Sequence, residues 1–262
     1  METNELTIIR EDGIATITLN RPDRLNALTI PMVKELCRIV EDARLDDSIK
    51  VLIITGTGRG FCSGADIALV LEGREKIERT RRELTAPVGF EFLSLTRCEK
   101  PMIAAINGVA AGGGLTIALA CDIRIASERA RFTAAWIRRG MSPEDGVTCY
   151  LPRLLGVAKA LELMFTGDMV DAVEAERIGL VNRVVPHDRL MTEANELASR
   201  IAKGPSIAIE LTKMLAYKGL RNDIESQLAI ENFARSIFLR TEDYKEGLES
   251  FKQKRQPEFK GR

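Results

Sequence analysis

Three consecutive glycines, Gly112, Gly113 and Gly114, stand directly before the apolar run LTIALAC, and no other feature of the chain restricts its fold so strongly. Glycine is costly at the start of a helix unless the backbone takes a conformation closed to other residues or approaches something closely. The stretch therefore predicts a strand-to-helix turn packed against another backbone or against a ligand. PMIAAING before it reads as a buried strand, GLTIALAC as a short helix and DIRIAS after it as another strand. Strand, turn, helix and strand in quick succession make an α/β core.

Other stretches extend this core. LTIIRED and IATITLN alternate apolar and polar residues around Asp12-Gly13, the pattern of a β-hairpin. PMVKELCRIVEDARLD has Pro31 in its first turn and Met32, Leu36, Ile39, Val40 and Ala43 on one face, which predicts an amphipathic helix. VLIITG is a short buried strand. From Gly156 onward the pattern turns helical, interrupted only by the strand VNRVVP. The segments from Arg189 to Lys203, Ser206 to Lys218, Ile224 to Arg240 and Glu242 to Lys254 have helical apolar spacing with little sheet to pack on. They predict helices that cover the core or a neighbouring subunit. The division expected is a core over 1–200 and a helical C-terminal region over 201–262.

Charge and cysteine content narrow the function classes. Lys plus Arg total 38 and Asp plus Glu total 38 in 262 residues, so there is no broad basic field for nucleic acid. Cys37, Cys62, Cys98, Cys121 and Cys149 are odd in number and form no CxxC pair, which points to reduced thiols in a cytoplasm. The N-terminal METNELTIIREDG carries no signal or transit pattern. The longest apolar stretch is broken by Asn107 and glycines and ends in Asp122, which argues against a membrane span. A single histidine, His187, in the turn VVPHDRL makes a zinc site improbable, and no acidic loop resembles a calcium site, so no metal is expected.

Two glycine-containing loops, TGTGRGFCSGADI after VLIITG and NGVAAGGGL after PMIAAI, carry the chemistry. Each presents backbone N–H groups at a strand-to-helix turn with a helix dipole behind them. Two such loops can grip one oxygen, and a donor aimed at a developing oxyanion is worth roughly 2.7–4 kcal/mol. Other glycine motifs fail on spacing: GTGRG is not GxGxxG, no GK[ST] follows either loop, and GFCSG is not GxSxG. Ser63 or Cys62 as a nucleophile lacks a histidine base nearby in the sequence.

The pieces NRPDRLNAL, GFCSGADI, NGVAAGGGL, CDIRIAS, FTGDMVDAVEAERIGLVNRVVP and KRQPEF occur in the order found in the crotonase superfamily of enoyl-CoA hydratases and isomerases, and the chain resembles it over nearly its whole length. The resemblance implies a spiral of strand-strand-helix units with a helical C-terminal trimerisation region, and a homotrimer or a hexamer built from two trimers. It implies that the N–H groups of Ala65 and Gly113 form an oxyanion hole for the thioester oxygen of an acyl-CoA. Coenzyme A enters as part of the substrate, with no separate cofactor.

The departures from the family pattern matter as much. Hydrating members carry one glutamate two residues after the triple glycine and another in FxxPE; here Thr116 and Trp136 stand in GGGLT and FTAAW. Neither can take a proton from water. The acids that remain are Glu144 and Asp145 in RRGMSPEDG. Glu144 falls where the Δ3-Δ2-enoyl-CoA isomerases of the superfamily place a single catalytic glutamate. One carboxylate can remove a proton from C2 of a 3-enoyl thioester and return it at C4 while the oxyanion hole holds the dienolate. An apolar pocket would strengthen it as a base. Equally, the two acids could simply begin the helix that follows.

The leading expectation is thus an enoyl-CoA isomerase with Glu144 as acid/base. A hydratase with a reduced acid/base set, in which Glu144 or Asp145 positions water, and an idle acyl-CoA-binding protein are the alternatives. Trp136 and Tyr150 are candidates for the acyl pocket or the core. A dehalogenase for aromatic thioesters, a further possibility in the superfamily, needs a histidine that GFEFLSLTRCEK lacks. By resemblance Arg24, Leu25, Ala27, Ser63, Ala65, Asp66, Ile67 and Phe259 surround coenzyme A. Arg138-Arg139 and RTRRE at 79–83 are candidate phosphate contacts.

Overall fold

The computed structural model describes residues 5–68 and 92–262, so the arginine cluster at 79–83 lies outside the described residues. Strands β1 (Leu6–Glu11) and β2 (Ile14–Leu19) form the expected antiparallel hairpin, with Asp12 and Gly13 both at positive φ as a tight two-residue turn requires. Helix α1 (Ile30–Leu45) buries Met32, Leu36, Ile39, Val40 and Ala43, the face read from its spacing. Its first turn is capped by the Thr29 hydroxyl, which accepts from the Met32 N–H at 3.1 Å.

Three strand pairs follow. They are β3 (Val51–Gly56) with β4 (Gly60–Cys62), β5 (Met102–Ile106) with β6 (Val109–Ala111), and β7 (Ile123–Ser127) with β8 (Arg131–Thr133). Helix α2 (Leu93–Arg97) precedes the second pair and α3 (Gly113–Ala120) closes it. The first strand of each pair enters a six-stranded sheet in the order β1-β2-β3-β5-β7-β10, where β10 is Arg183–Val185. The second strand enters a four-stranded sheet in the order β4-β6-β8-β9, where β9 is Val170–Asp171. Each unit thus visits both sheets, and the chain advances as the crotonase spiral.

Strand β3 is buried on both faces, as its unbroken apolar run requires. Leu52 and Ile54 point into the large core shared with α1, α3 and the small sheet. Val51 and Ile53 point the other way, onto Leu190, Ala194 and Ala198 of a later helix, α7 (Leu190–Ala202). The first of the four C-terminal segments therefore does have sheet to pack on, a contact its own spacing did not show.

Between the core and α7 run α4 (Val147–Leu155), α5 (Val157–Thr166) and α6 (Ala172–Arg177). After α7 come α8 (Ser206–Gly219), α9 (Ile224–Phe238) and α10 (Glu242–Gln253). Helix α8 is tied to the core by Asp122, whose carboxylate pairs with the Lys213 ammonium at 2.7 Å and accepts from the Tyr217 hydroxyl at 2.9 Å. Helix α9 buries only Ala234 and leaves Ile224, Leu228 and Phe233 exposed. On α10 the ring of Phe251 is 86% exposed. Among the described residues, no helix is long and apolar enough to cross a membrane.

Candidate active site

The site is assembled from three turns. The first follows β2: a 3-10 turn at Pro22–Arg24, then Leu25 and Asn26, both in the left-handed region at φ 49° and 56°. Asparagine tolerates that conformation better than most residues. Its buried side chain secures the turn. The Asn26 amide nitrogen donates to the carbonyls of Thr57, Gly60 and Phe61 at 3.0, 2.8 and 3.2 Å, and its oxygen accepts from the Arg21 N–H at 2.8 Å. Sequence reading passed over this residue, although an asparagine between a turn and an apolar run is the available signal.

The second turn follows β4 and runs alongside the first. The Ser63 N–H donates to the Leu25 carbonyl at 3.0 Å, the Leu28 N–H to Gly64 at 2.8 Å, and the Asp66 N–H to Leu28 at 3.0 Å. Ala65 lies between these rungs. It is exposed, and its own N–H has no hydrogen-bond partner among the described residues.

The third turn is the glycine triplet. Gly112 adopts φ 52°, ψ −127°, a region closed to side chains, and α3 starts at Gly113, whose N–H is one of the orphan donors of a helix start. The two glycine loops touch: a Cβ on Gly64 would stand 2.8 Å from the Ala111 oxygen and 3.3 Å from the Gly113 nitrogen. Leu28 and Phe92 flank Gly113. The structure thus brings the loops of Ala65 and Gly113 into contact, which answers why three glycines stand together.

The residues suggested for coenzyme A fall unevenly around this centre. Leu25 and Ser63 pair across the first two turns, the Ser63 hydroxyl donates to the Arg24 carbonyl at 3.3 Å, and Ala27 is buried within the first turn, its N–H donating to the Arg24 carbonyl at 3.0 Å. The side chains of Arg24 and Ile67 are exposed. The Asp66 carboxylate is turned onto Arg21 at 2.9 Å. Phe259 lies in the C-terminal tail, packed on Gly247 of α10.

Glu144 and Asp145 sit in the segment between Gly140 and Gly146. Helix α4 begins only at Val147 with Gly146 as its cap and has no acid in its first turn, so both carboxylates precede the helix rather than lie within it. Asp145 has a φ of 58°. Glu144 is exposed, and its carboxylate has no hydrogen bond or ion pair among the described residues. The apolar enclosure expected around it is not provided by those residues. Arg138 and Arg139 lie in the 3-10 turn Ala135–Arg139, where Arg138 approaches Asp168 at 3.5 Å.

The two positions where hydratases carry carboxylates are closed to water. Thr116 is 0% exposed and its hydroxyl has no hydrogen-bond partner among the described residues; Trp136 is 5% exposed within the core. Tyr150 is half-buried against that core. Cys62 is fully buried and its thiol is pushed up to about 12 by burial, so it remains protonated and inert as a nucleophile. His187 lies in a 3-10 turn with its Nδ1 2.9 Å from the Ser127 hydroxyl.

Residues 9–262 match the family model described as enoyl-CoA hydratase/isomerase. The chain belongs to the enoyl-CoA hydratase/isomerase family. A short-chain-enoyl-CoA hydratase of Clostridium acetobutylicum is 40% identical over 264 residues, covering 100% of both chains. A 1,2-epoxyphenylacetyl-CoA isomerase of Escherichia coli is 35% identical, covering 96% of this chain and 97% of that one. Among solved structures, an enoyl-CoA hydratase of Bacillus anthracis superposes with a TM-score of 0.90 at 36% identity, covering 98% of this chain and 100% of that one. Membership of the enoyl-CoA hydratase/isomerase family implies an acyl-CoA substrate. It leaves hydration and isomerisation both open, since relatives bear both names.

Proposed function

We propose that the protein is an enoyl-CoA isomerase that moves a double bond with one carboxylate. The observation that carries this reading is the contrast between the sealed positions of Thr116 and Trp136 and Glu144, which is exposed and has no side-chain partner among the described residues. The thioester oxygen is held by the N–H groups of Ala65 and Gly113. The Glu144 carboxylate takes a proton from C2 of a 3-enoyl-CoA. The electron pair left behind spreads over the C3–C4 double bond and the thioester as a dienolate. The same carboxyl then delivers its proton to C4, leaving the 2-enoyl-CoA and a restored carboxylate. Each oxyanion donor contributes roughly 2.7–4 kcal/mol, and the positioned acid/base about 100-fold to 10,000-fold.

The names of several relatives favour a second reading, hydration of a 2-enoyl-CoA with Glu144 or Asp145 positioning the water. One experiment separates these. A short 3-enoyl-CoA is mixed with the enzyme and the absorbance of the conjugated 2-enoyl thioester is followed, alongside Glu144→Gln. A rise abolished by the substitution supports the isomerase. No rise, with a 2-enoyl-CoA consumed instead, supports the hydratase, and binding without either turnover supports an idle acyl-CoA-binding protein.

The exposed apolar residues of α9 and α10 support assembly into a homotrimer or a hexamer, which light scattering in solution measures directly. Five thiols, none in a disulfide, support a reducing cytoplasm as its compartment.

A further inference from the structure

An oxyanion donor works only if it is held in place before the charge develops. Ala65 sits on an exposed loop, and its neighbour Asp66 is anchored from an unexpected direction. Arg21, which precedes the turn at Pro22–Arg24, reaches across 45 residues of sequence with Nη2 2.9 Å from the Asp66 carboxylate. Its Nε pairs with Glu5 at 3.0 Å, and Nη1 donates to the Ala27 carbonyl. Glu5 in turn accepts from the Thr29 hydroxyl at 2.7 Å. The Arg21 and Asp66 side chains are only 18% and 10% exposed. Buried ion pairs of this kind contribute little net stability and are costly to break on one side, but their geometry is well defined.

We infer that Arg21 and Asp66 are positioning residues for the oxyanion hole, an inference that rests on the reading of Ala65 and Gly113 given above. Arg21 acts in two ways. It fixes the residue next to Ala65, and it neutralises a carboxylate that would otherwise oppose a negative charge developing one residue away. The resemblance places Asp66 at coenzyme A; here its carboxylate serves the loop.

These two roles predict an order among variants. Asp66→Asn keeps an acceptor and carries no charge, so kcat falls about 10-fold. Arg21→Met leaves the carboxylate unneutralised, so kcat falls about 100-fold, within the range of losing one donor. The double variant Arg21→Met/Asp66→Asn turns over faster than Arg21→Met alone, because the opposing charge is gone. Arg21→Lys, which keeps the charge and loses the fork, falls between wild type and Arg21→Met. KM stays within about threefold throughout, because uniform binding is untouched.

The test uses the intact enzyme, steady-state kinetics on a short 3-enoyl-CoA, and the absorbance of bound 2,4-hexadienoyl-CoA, whose conjugated carbonyl shifts to longer wavelength when polarised. Thermal unfolding identifies any variant that has lost its fold. Wild type should show the shift, and it should shrink in the stated order. A wild-type shift left intact in folded Asp66→Asn and Arg21→Lys overturns the positioning role alone. A rise in KM with kcat preserved in Asp66→Asn makes Asp66 a coenzyme A ligand and overturns it too. No shift in wild type removes the oxyanion-hole reading and the inference with it.

Discussion

Gly114 lies so close to Cys62 that a Cβ on it would stand 2.1 Å from the Cys62 carbonyl oxygen. The first turn of α3 is thus seated directly on the end of β4, and this seating sets the depth at which the two glycine loops meet. The obstruction is backbone, which has no rotamer by which to yield. Gly114→Ala should therefore cost about 1–3 kcal/mol or more, and lower the melting temperature by roughly 2–5 °C or more for a chain of this size. Calorimetry on the purified variant measures it; an unchanged melting temperature would show that α3 moves freely over β4.

Asn26 offers a sharper comparison. Its amide nitrogen faces three carbonyls while its backbone takes a positive φ. Asn26→Gly keeps the backbone conformation and abandons the carbonyls, at about 1–3 kcal/mol. Asn26→Asp puts a carboxylate against the same three oxygens and should be the less stable of the two. Urea unfolding of both variants reads the order directly, and the reverse order would contradict the donor role of the side chain.

Burial of Thr116 and Trp136 bears on reaction choice. In water enriched with oxygen-18 and given a 2-enoyl-CoA, the enzyme should form labelled 3-hydroxyacyl-CoA at under about one-hundredth of its isomerisation rate, since each missing acid/base group is worth about 100-fold or more. Mass spectrometry of the product measures the ratio. Comparable rates would establish the hydratase.

Lys100 provides a pH-dependent prediction away from the site. It is 5% exposed, and its ammonium donates to the carbonyls of Ala43 and Asp46 at 2.7 and 2.6 Å. Burial holds its pKa below the usual lysine value of 10.5, with Glu210 opposing that shift. The unfolded chain therefore binds this proton more tightly than the folded one, so the lysine's share of stability rises as pH climbs through its folded pKa towards 10.5. Lys100→Met should lose about 1–3 kcal/mol at neutral pH through the two abandoned carbonyls. It should also lack the alkaline gain that builds as pH rises towards 10.5. Identical pH slopes in both proteins would assign that gain to other groups.

Local signals in the chain were enough for much of the architecture. The hairpin about Asp12-Gly13, the buried face of α1, the glycine triplet before α3 and the run of C-terminal helices all depend on neighbours a few residues apart, where period and turn chemistry operate. The absence of carboxylates at 116 and 136 was equally plain. What the sequence left hidden depends on contacts between distant segments. The strands of the smaller sheet, such as Gly60–Cys62 and Val109–Ala111, are too short to show a period, and only pairing makes them strands. That α7 covers the large sheet, that Asn26 locks one turn onto another, and that Arg21 reaches Asp66 follow from packing. Burial was decided at the same level: Trp136 went into the core and Glu144 was left exposed, because solvent access is set by what the whole chain places around a residue.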